Sequence, residues 1–337
     1  MEVRDYVIRR ILYLVPTIFL VTLITFGLTR ISGVPIGAYV NVASGQEQVE
    51  AAREMYGLDE PLWKQYLIWM RGILTGNWGW STEASAPVTS ALLQKAPASF
   101  ELAIAGIIVA GIISITLGTL AGKYQDTWID HFSRALAIGG MSTPQFWAGL
   151  MLILVGYVYL GWFPLGRSDP AIYATISHPT GFYTLDALLN ANLAAFWDAV
   201  WHLFLPALTI GYAESAVITR HLRSEIVEKK REEYADAARA RGVKEGIVFA
   251  KHIRRNALIP TVTVAGLSFA FLLRGIVVVE LVFAWPGLGR WVANAAVAGD
   301  APAIMGFILL VGVSTILVNL GVDVTYAYLD PRVELGE

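Results

Sequence analysis

The chain has no cysteine among its 337 residues, which excludes disulfides, thiolate metal sites and cysteine nucleophiles. Charge is also scarce. Asp, Glu, Lys and Arg make up 15% of the residues, where a soluble domain carries roughly 25%. A net charge of -2 gives no overall pull toward nucleic acid. No catalytic constellation fills the gap. The histidines (His131, His178, His202, His221 and His252) never fall at i, i+4 with a Glu between them, so a zincin-type site is absent. The nearest approach to a phosphate-binding loop runs from Gly118 to Tyr124. It is one residue short between Gly118 and Gly122, and it puts Tyr124 where Ser or Thr must ligate magnesium. It also ends an apolar run instead of following a strand. The chain is therefore expected to hold no cofactor of its own.

What the sequence has in quantity is apolar side chains, 55% of its residues, with a mean hydropathy of +0.55. Runs of about 18 or more apolar residues read as membrane spans. Six are found: Ile11–Leu28, Leu102–Ala121, Leu136–Leu160, Leu203–Thr219, Thr261–Phe283 and Ile304–Val324. The first follows Arg9 and Arg10 but is longer than a signal-peptide core, and no A-x-A-like site follows it, so it reads as a retained span. The expected fold is an all-α polytopic membrane protein, one domain over 1–337, with a long extracellular loop at 32–101. Basic residues mark alternate connections: Arg4, Arg9 and Arg10, then Lys123 and Arg134, then a dense series from Arg220 to Arg255. The third and fifth connections offer only Arg167 and Arg290. The positive-inside rule then puts both termini and the loop at 220–260 in the cytoplasm of a cell-membrane protein.

In the long outer loop, Pro61 can open a helix. The run after it places Leu62, Tyr66, Leu67, Met70, Ile73 and Leu74 on one face, with Trp63 and Trp69 typical of the membrane–water boundary. Two readings stand: an amphipathic helix lying on the bilayer, or a helix at the outer mouth of a pathway that meets an extracellular protein. The aromatic, nearly uncharged connection at 161–201 suits a short structured cap. Within the spans, Glu214, Arg274 and Glu280 are costly to bury unless paired or hydrated. They are either polar glue between helices or the lining of a polar pathway. Arg274 and Glu280 at i, i+6 point in different directions, so a direct pair is not expected.

The segment Glu233–Pro260, EYADAARARGVKEGIVFAKHIRRNALIP, carries the most information. Ala235, Ala238 and Gly242 recur at helical spacing, Gly242 can end a helix in the left-handed region, and Pro260 stands at the mouth of the next span. A basic anchor would need only positive charge. Glu232, Glu233, Asp236 and Glu245 break that pattern and favour a docking element for a cytoplasmic partner.

This segment resembles the EAA loop of ABC-transporter permeases, and the likeness runs the length of the chain. ILYLVPTIFLVTLITF, GLDEPLWKQYLIWMRGILTGNWGWS, PVTSALLQKAPASFELA, STPQFWAGLMLILVGYVYLGWFPLG, HLFLPALTIG, EYADAARARGV with KHIRRNALIP, VVVELVFAWPGLGR and LDPRV follow one another in order. The set is similar to the peptide-type (Dpp/Opp) permeases of ABC importers, and the long first outer loop to their B-type subunit. Two departures stand out. Asp236-Ala237-Ala238 replaces the EAA of the wider consensus, and Arg274 and Glu214 are unusual.

The resemblance implies a non-enzymatic transport subunit working by alternating access. Its partners would be a second, homologous C-type permease, two ABC ATPase subunits that bind ATP and magnesium, an extracellular solute-binding protein and the lipid bilayer, with no nucleic acid. It assigns ATPase coupling to Glu233, Ala235, Asp236, Ala237, Ala238, Gly242 and Pro260, with Ala237, Ala238 and Gly242 small enough to enter a groove of the ATPase. The pathway lining of Glu214, Arg274 and Glu280 rests instead on the cost of their charge in hydrocarbon, and outer gating or binding-protein contact by Trp63, Tyr66, Trp69 and Met70 on the pattern of their helix. The implied cargo is di- or oligopeptides, with oligosaccharides as the alternative. A transporter driven alone by an ion gradient would need inverted repeats and broken helices, which the sequence does not present.

Overall fold

The structure is a computed structural model. It describes residues 57–329 together with 12, 16–27, 47, 50, 53 and 54, and side chains there except at 269–275 and 322–329. The first part of the outer loop, the ends of the first expected span, the Arg274 side chain and the close of LDPRV lie outside the described residues.

Helices account for most of what is described. The first, α1 (Pro16–Gly27), is apolar. After α2 (Leu62–Leu74) comes a minimal hairpin, β1 (Trp80–Ser81) against β2 (Ala86–Pro87). Then α3 (Val88–Lys123) runs without a break for 36 residues, about 54 Å at 1.5 Å per residue. That exceeds the roughly 30 Å of hydrocarbon, so α3 starts well before the expected boundary at Leu102 and takes the end of the 32–101 loop into helix.

The run Leu136–Leu160, expected as one span, is instead two helices, α4 (Trp128–Ser142) and α5 (Gln145–Tyr159), bent by 107° at Thr143-Pro144. Pro144 lacks the amide that would continue the ladder, and it pushes Thr143 into an extended conformation at φ -87, ψ 123. The last turns of α5 widen to a π-helix at Ile153–Tyr159.

Two short helices, α6 (Pro170–Tyr173) and α7 (Tyr183–Leu189), make the cap. Then α8 (Leu193–Lys229) runs for 37 residues. Next come α9 (Glu233–Ala240), α10 (Glu245–Ile247) with a π turn at Val248–Ile253, α11 (Arg254–Val282), α12 (Leu288–Ala298) and α13 (Ala301–Leu329).

Three helical stretches are long and apolar enough to cross a membrane, α3, α8 and Ala301–Gly321 of α13, or four when the bent α4–α5 pair is taken as one span. This makes the chain a polytopic α-helical membrane protein.

The central pair is α3 with α8, and glycines let it close. A Cβ at Gly118 would lie 3.0 Å from that of Leu222, one at Gly122 2.6 Å from Ile226 Cγ2, and one at Gly211 2.7 Å from Val109. These contacts keep nearly one sequence offset, so the two helices run parallel. Around their N-terminal halves sits a core of Ala98, Leu102, Leu203, Ile210, Val279 and Trp285. Pro260, expected at the border between loop and span, lies inside α11. The helix already begins at Arg254, so the connection enters the bundle as helix.

Candidate functional site

The segment Glu233–Pro260 folds as expected at its centre and differently at its edges. Glu233 and Asp236 stand in the first turn of α9, where their charge complements the helix dipole. Gly242 ends the helix at φ +77. Its amide donates to the Arg239 carbonyl at 2.9 Å, and the Val243 amide to the Ala238 carbonyl at 3.2 Å. These are the paired bonds of a Schellman stop, which needs a left-handed residue at that position. A Cβ on Gly242 would meet nothing within 4 Å, so glycine is required there by backbone conformation rather than by close packing within the chain.

The alanine stripe divides. Ala235 and Ala238 are fully buried, packed with Leu222, Ile226, Val248, Phe249, Ile253 and Ala257 of this same chain. Placing Ala238 in a partner's groove is therefore corrected: its methyl is what lets α9 lie close on α8 and the π turn. Glu233, Asp236, Ala237, Ala240, Arg241 and Gly242 face outward. Arg239 ties this face together, bonding Asp236 at 2.8 Å, Glu245 at 3.1 Å and the Lys230 carbonyl at 3.2 Å. The hydrogen bonds from Arg239 hold the Glu245 carboxyl below its usual range.

The outer-loop helix is not free on a surface. Tyr66 bonds Thr22 of α1 at 2.8 Å, and Phe19, Phe26, Tyr66 and Trp69 form an aromatic cluster with ring centroids 5.5 to 6.2 Å apart. Tyr66 and Trp69 thus fasten α2 to α1, with Met70 half-buried. Trp63 is 65% exposed, and Leu62, Leu67 and Leu74 are exposed as well. The predicted apolar face is therefore split between packing and surface.

The proposed pathway residues also part company. Glu214 is half-buried in α8, close to Ser268 of α11. Glu280 is wholly buried inside the chain. Its carboxylate accepts from the Ser99 hydroxyl and from the Arg290 amide at 3.0 Å. The Ser99 hydroxyl also accepts from the Leu288 amide at 2.7 Å, and Trp285 donates to the Ala98 carbonyl at 2.9 Å. Glu280 is a fastener joining α3, α11 and α12, the glue reading rather than the pathway one.

Several anchors escaped the sequence reading. Arg167, the lone basic residue of the cap, is buried and bonds Glu101 of α3 at 2.6 Å and the Gly181 carbonyl at 2.6 Å. It stacks 3.7 Å from the Tyr183 ring centre. Burial, then a hydrogen bond with Tyr173, push the Tyr183 phenol up. The loop's one Lys or Arg, set among only three aspartates (Asp169, Asp186 and Asp198), was the available signal. Asp300 caps α13 through the Ala303 amide and takes hydrogen bonds from Ser81 and Glu83, tying the hairpin to the last helix. Asp130 pairs with Arg223, joining α4 to α8. Among the described residues no cluster of His, Asp and Glu could hold a metal ion.

Comparison with known proteins matches this architecture to a family. Residues 114–335 match the binding-protein-dependent transport system inner membrane component, and residues 3–103 match the N-terminal region of such membrane components. A di/tripeptide transport system permease protein of Pseudomonas aeruginosa is 40% identical over 332 residues, covering 98% of each chain. A probable D,D-dipeptide transport system permease protein of Escherichia coli is 39% identical over 94% of this chain and 93% of its own. A glutathione transport system permease protein of Escherichia coli is 35% identical over 98% of each. The chain belongs to the binding-protein-dependent transport system inner membrane components, the permease subunits of ABC importers.

Proposed function

We propose that this permease subunit moves di- or oligopeptides inward by alternating access, driven through α9 by partner ATPases that bind ATP and magnesium. The single observation that carries the coupling assignment is the two-sided character of α9. One face is locked into its own chain by Ala235 and Ala238, while Glu233, Asp236 and Ala237 are left outward behind a rigid Gly242 stop. A helix built this way passes a push to the bundle without deforming. The relatives' names, which speak of dipeptides, di- and tripeptides and glutathione, favour peptides over oligosaccharides.

In this reading the chain is one domain of six spans. α1, the α4–α5 pair and α11 join the three long helices, the loop at 220–260 and both termini lie in the cytoplasm, and the outer loop with the cap faces outward. Partners are a second, C-type permease, two ATPases and a solute-binding protein that approaches the outer side near Trp63. Glu214 and Arg274 line the route between the two permeases. The test is reconstitution of the complex in proteoliposomes. Uptake of labelled dipeptides should require ATP and the binding protein. Uptake driven by an ion gradient without ATP, or of oligosaccharides but no peptide, would refute it.

A further inference from the structure

Where α3, α4 and α8 come together beside α9, one carboxylate is completely enclosed. Asp130, in the first turn of α4, has no exposed surface. Arg223 of α8 grips it through two hydrogen bonds, Nε to Oδ1 at 2.6 Å and Nη2 to Oδ2 at 2.6 Å. The Asp126 amide donates to it at 2.9 Å, and Arg134 stands 3.4 Å away. A planar, two-bonded guanidinium–carboxylate pair fixes relative rotation as well as distance.

This pair is one of three links that meet on α8. Arg239 of α9 bonds the Lys230 carbonyl at the end of α8, and Lys230 Nζ donates to the Lys123 carbonyl at the end of α3 at 2.8 Å. The third link, Arg223 to Asp130, reaches α4. Ile226 backs them up, lying against Gly122 of α3 while belonging to the apolar cluster around Ala235 and Ala238. α4 touches α8 again nearer its bend, where the Tyr212 hydroxyl donates to the Leu136 carbonyl at 2.9 Å and Gly140 meets Ala216. The Asp130–Arg223 pair holds the other end of α4 to α8, so the two contacts together fix its direction on α8.

We infer that Asp130 and Arg223 are positioning residues for transport: they make α4 follow α9, so that displacement of the docking helix reaches the 107° bend at Thr143-Pro144. This inference rests on the reading of α9 as the ATPase-docking helix. Because the Tyr212 and Gly140 contacts remain when the pair is cut, the bundle keeps its fold and loses transmission. Arg223→Lys is the informative variant, since it keeps the charge and gives up the two-bonded geometry.

The test is the number of ATP molecules hydrolysed per dipeptide transported by the reconstituted complex. Arg223→Lys and Asp130→Asn should hydrolyse ATP within about twofold of the parent. Their transport should fall at least about tenfold, inside the usual range of coupling effects. The double variant Asp130→Asn with Arg223→Lys should be no worse than either single change. Equal losses of hydrolysis and transport would reduce the pair to a structural brace and overturn the inference, as would unchanged stoichiometry.

A second measurement needs no change to the pair. The absence of native cysteine allows spin labels at Phe132→Cys and Ala240→Cys, both exposed, in the assembled complex. Their separation should stay fixed between nucleotide-free and ATP-trapped states, while the distance from Ala240→Cys to Leu189→Cys changes. A changing 132–240 separation would overturn the inference even if the variants fail to assemble. Cross-linking of Ala237→Cys to the ATPase separates the two claims. If it succeeds while the stoichiometry is unchanged, only the coupler falls; if it fails, the docking reading falls as well.

Discussion

Gly242 allows the sharpest test of how α9 is built, because the structure separates two reasons for a glycine. Open space surrounds its Cβ direction, so a side chain costs nothing in clashes within the chain. Its φ of +77 is what resists substitution. An L-residue in the left-handed region costs about 1–2 kcal/mol, Asn tolerates it better, and a β-branched residue is a genuine outlier there. The expected order of damage is therefore Asn least, Ala intermediate at about 1 kcal/mol and Val most. Since about 1.4 kcal/mol is a factor of ten in an equilibrium, Gly242→Val should leave a large share of molecules with the stop unwound. The Val243-to-Ala238 bond is then lost and the outward face of α9 turned away. The assay is substrate-stimulated ATPase activity of the complex in lipid nanodiscs, alongside the chain's own melting temperature. Stimulation should fall in the order Asn, Ala, Val, while insertion stays normal. Equal behaviour of all three would refute the backbone argument, and full stimulation with Gly242→Val would count against α9 as the docking helix.

Other expectations follow from the anchors. Glu101→Ala leaves Arg167 buried without its carboxylate, a loss of about 3–5 kcal/mol. It should lower the melting temperature and speed proteolysis near 170–182, whereas Glu101→Met with Arg167→Met should be milder; equal damage from both would mean the pair is not what holds the cap. Tyr66→Phe gives up the Thr22 hydrogen bond and should cost about 0.5–1.5 kcal/mol. Tyr66→Asp should impair folding itself, and Trp63→Asp should lower transport with little change in stability; a normal yield of Tyr66→Asp would refute the packing role. Arg274→Gln should change transport or basal ATPase activity more than assembly, as judged by co-purification of the partners. A proportionate loss of assembly would place Arg274 among the structural residues.

The sequence was most legible where one physical rule dominates. Apolar run length marked the regions that became α3, α8 and α13, and a glycine after an Ala-rich turn marked the stop at Gly242. It was least legible where two distant residues must be seen together. Glu101 with Arg167, Ser81 with Asp300 and Asp130 with Arg223 lie far apart in the chain, and each residue alone reads as an ordinary polar residue of a loop or helix. Hydropathy also hid the bend at Pro144, because the residues on either side of it, 136–141 and 146–160, are mostly apolar and only the missing amide separates them. The alanines of α9 show the same limit: helical spacing put Ala235 and Ala238 on one face, but nothing local said whether that face met this chain or another.

The central claim, that α9 meets the ATPase through one face only, is tested most directly by single-cysteine cross-linking in the assembled complex, since this chain has no native cysteine to compete. Asp236→Cys, Ala237→Cys and Ala240→Cys should each cross-link to the ATPase subunit, and Ala235→Cys and Ala238→Cys, buried against Leu222 and Ile226, should not. Cross-links through Ala235→Cys or Ala238→Cys, or none anywhere along α9, would contradict the account.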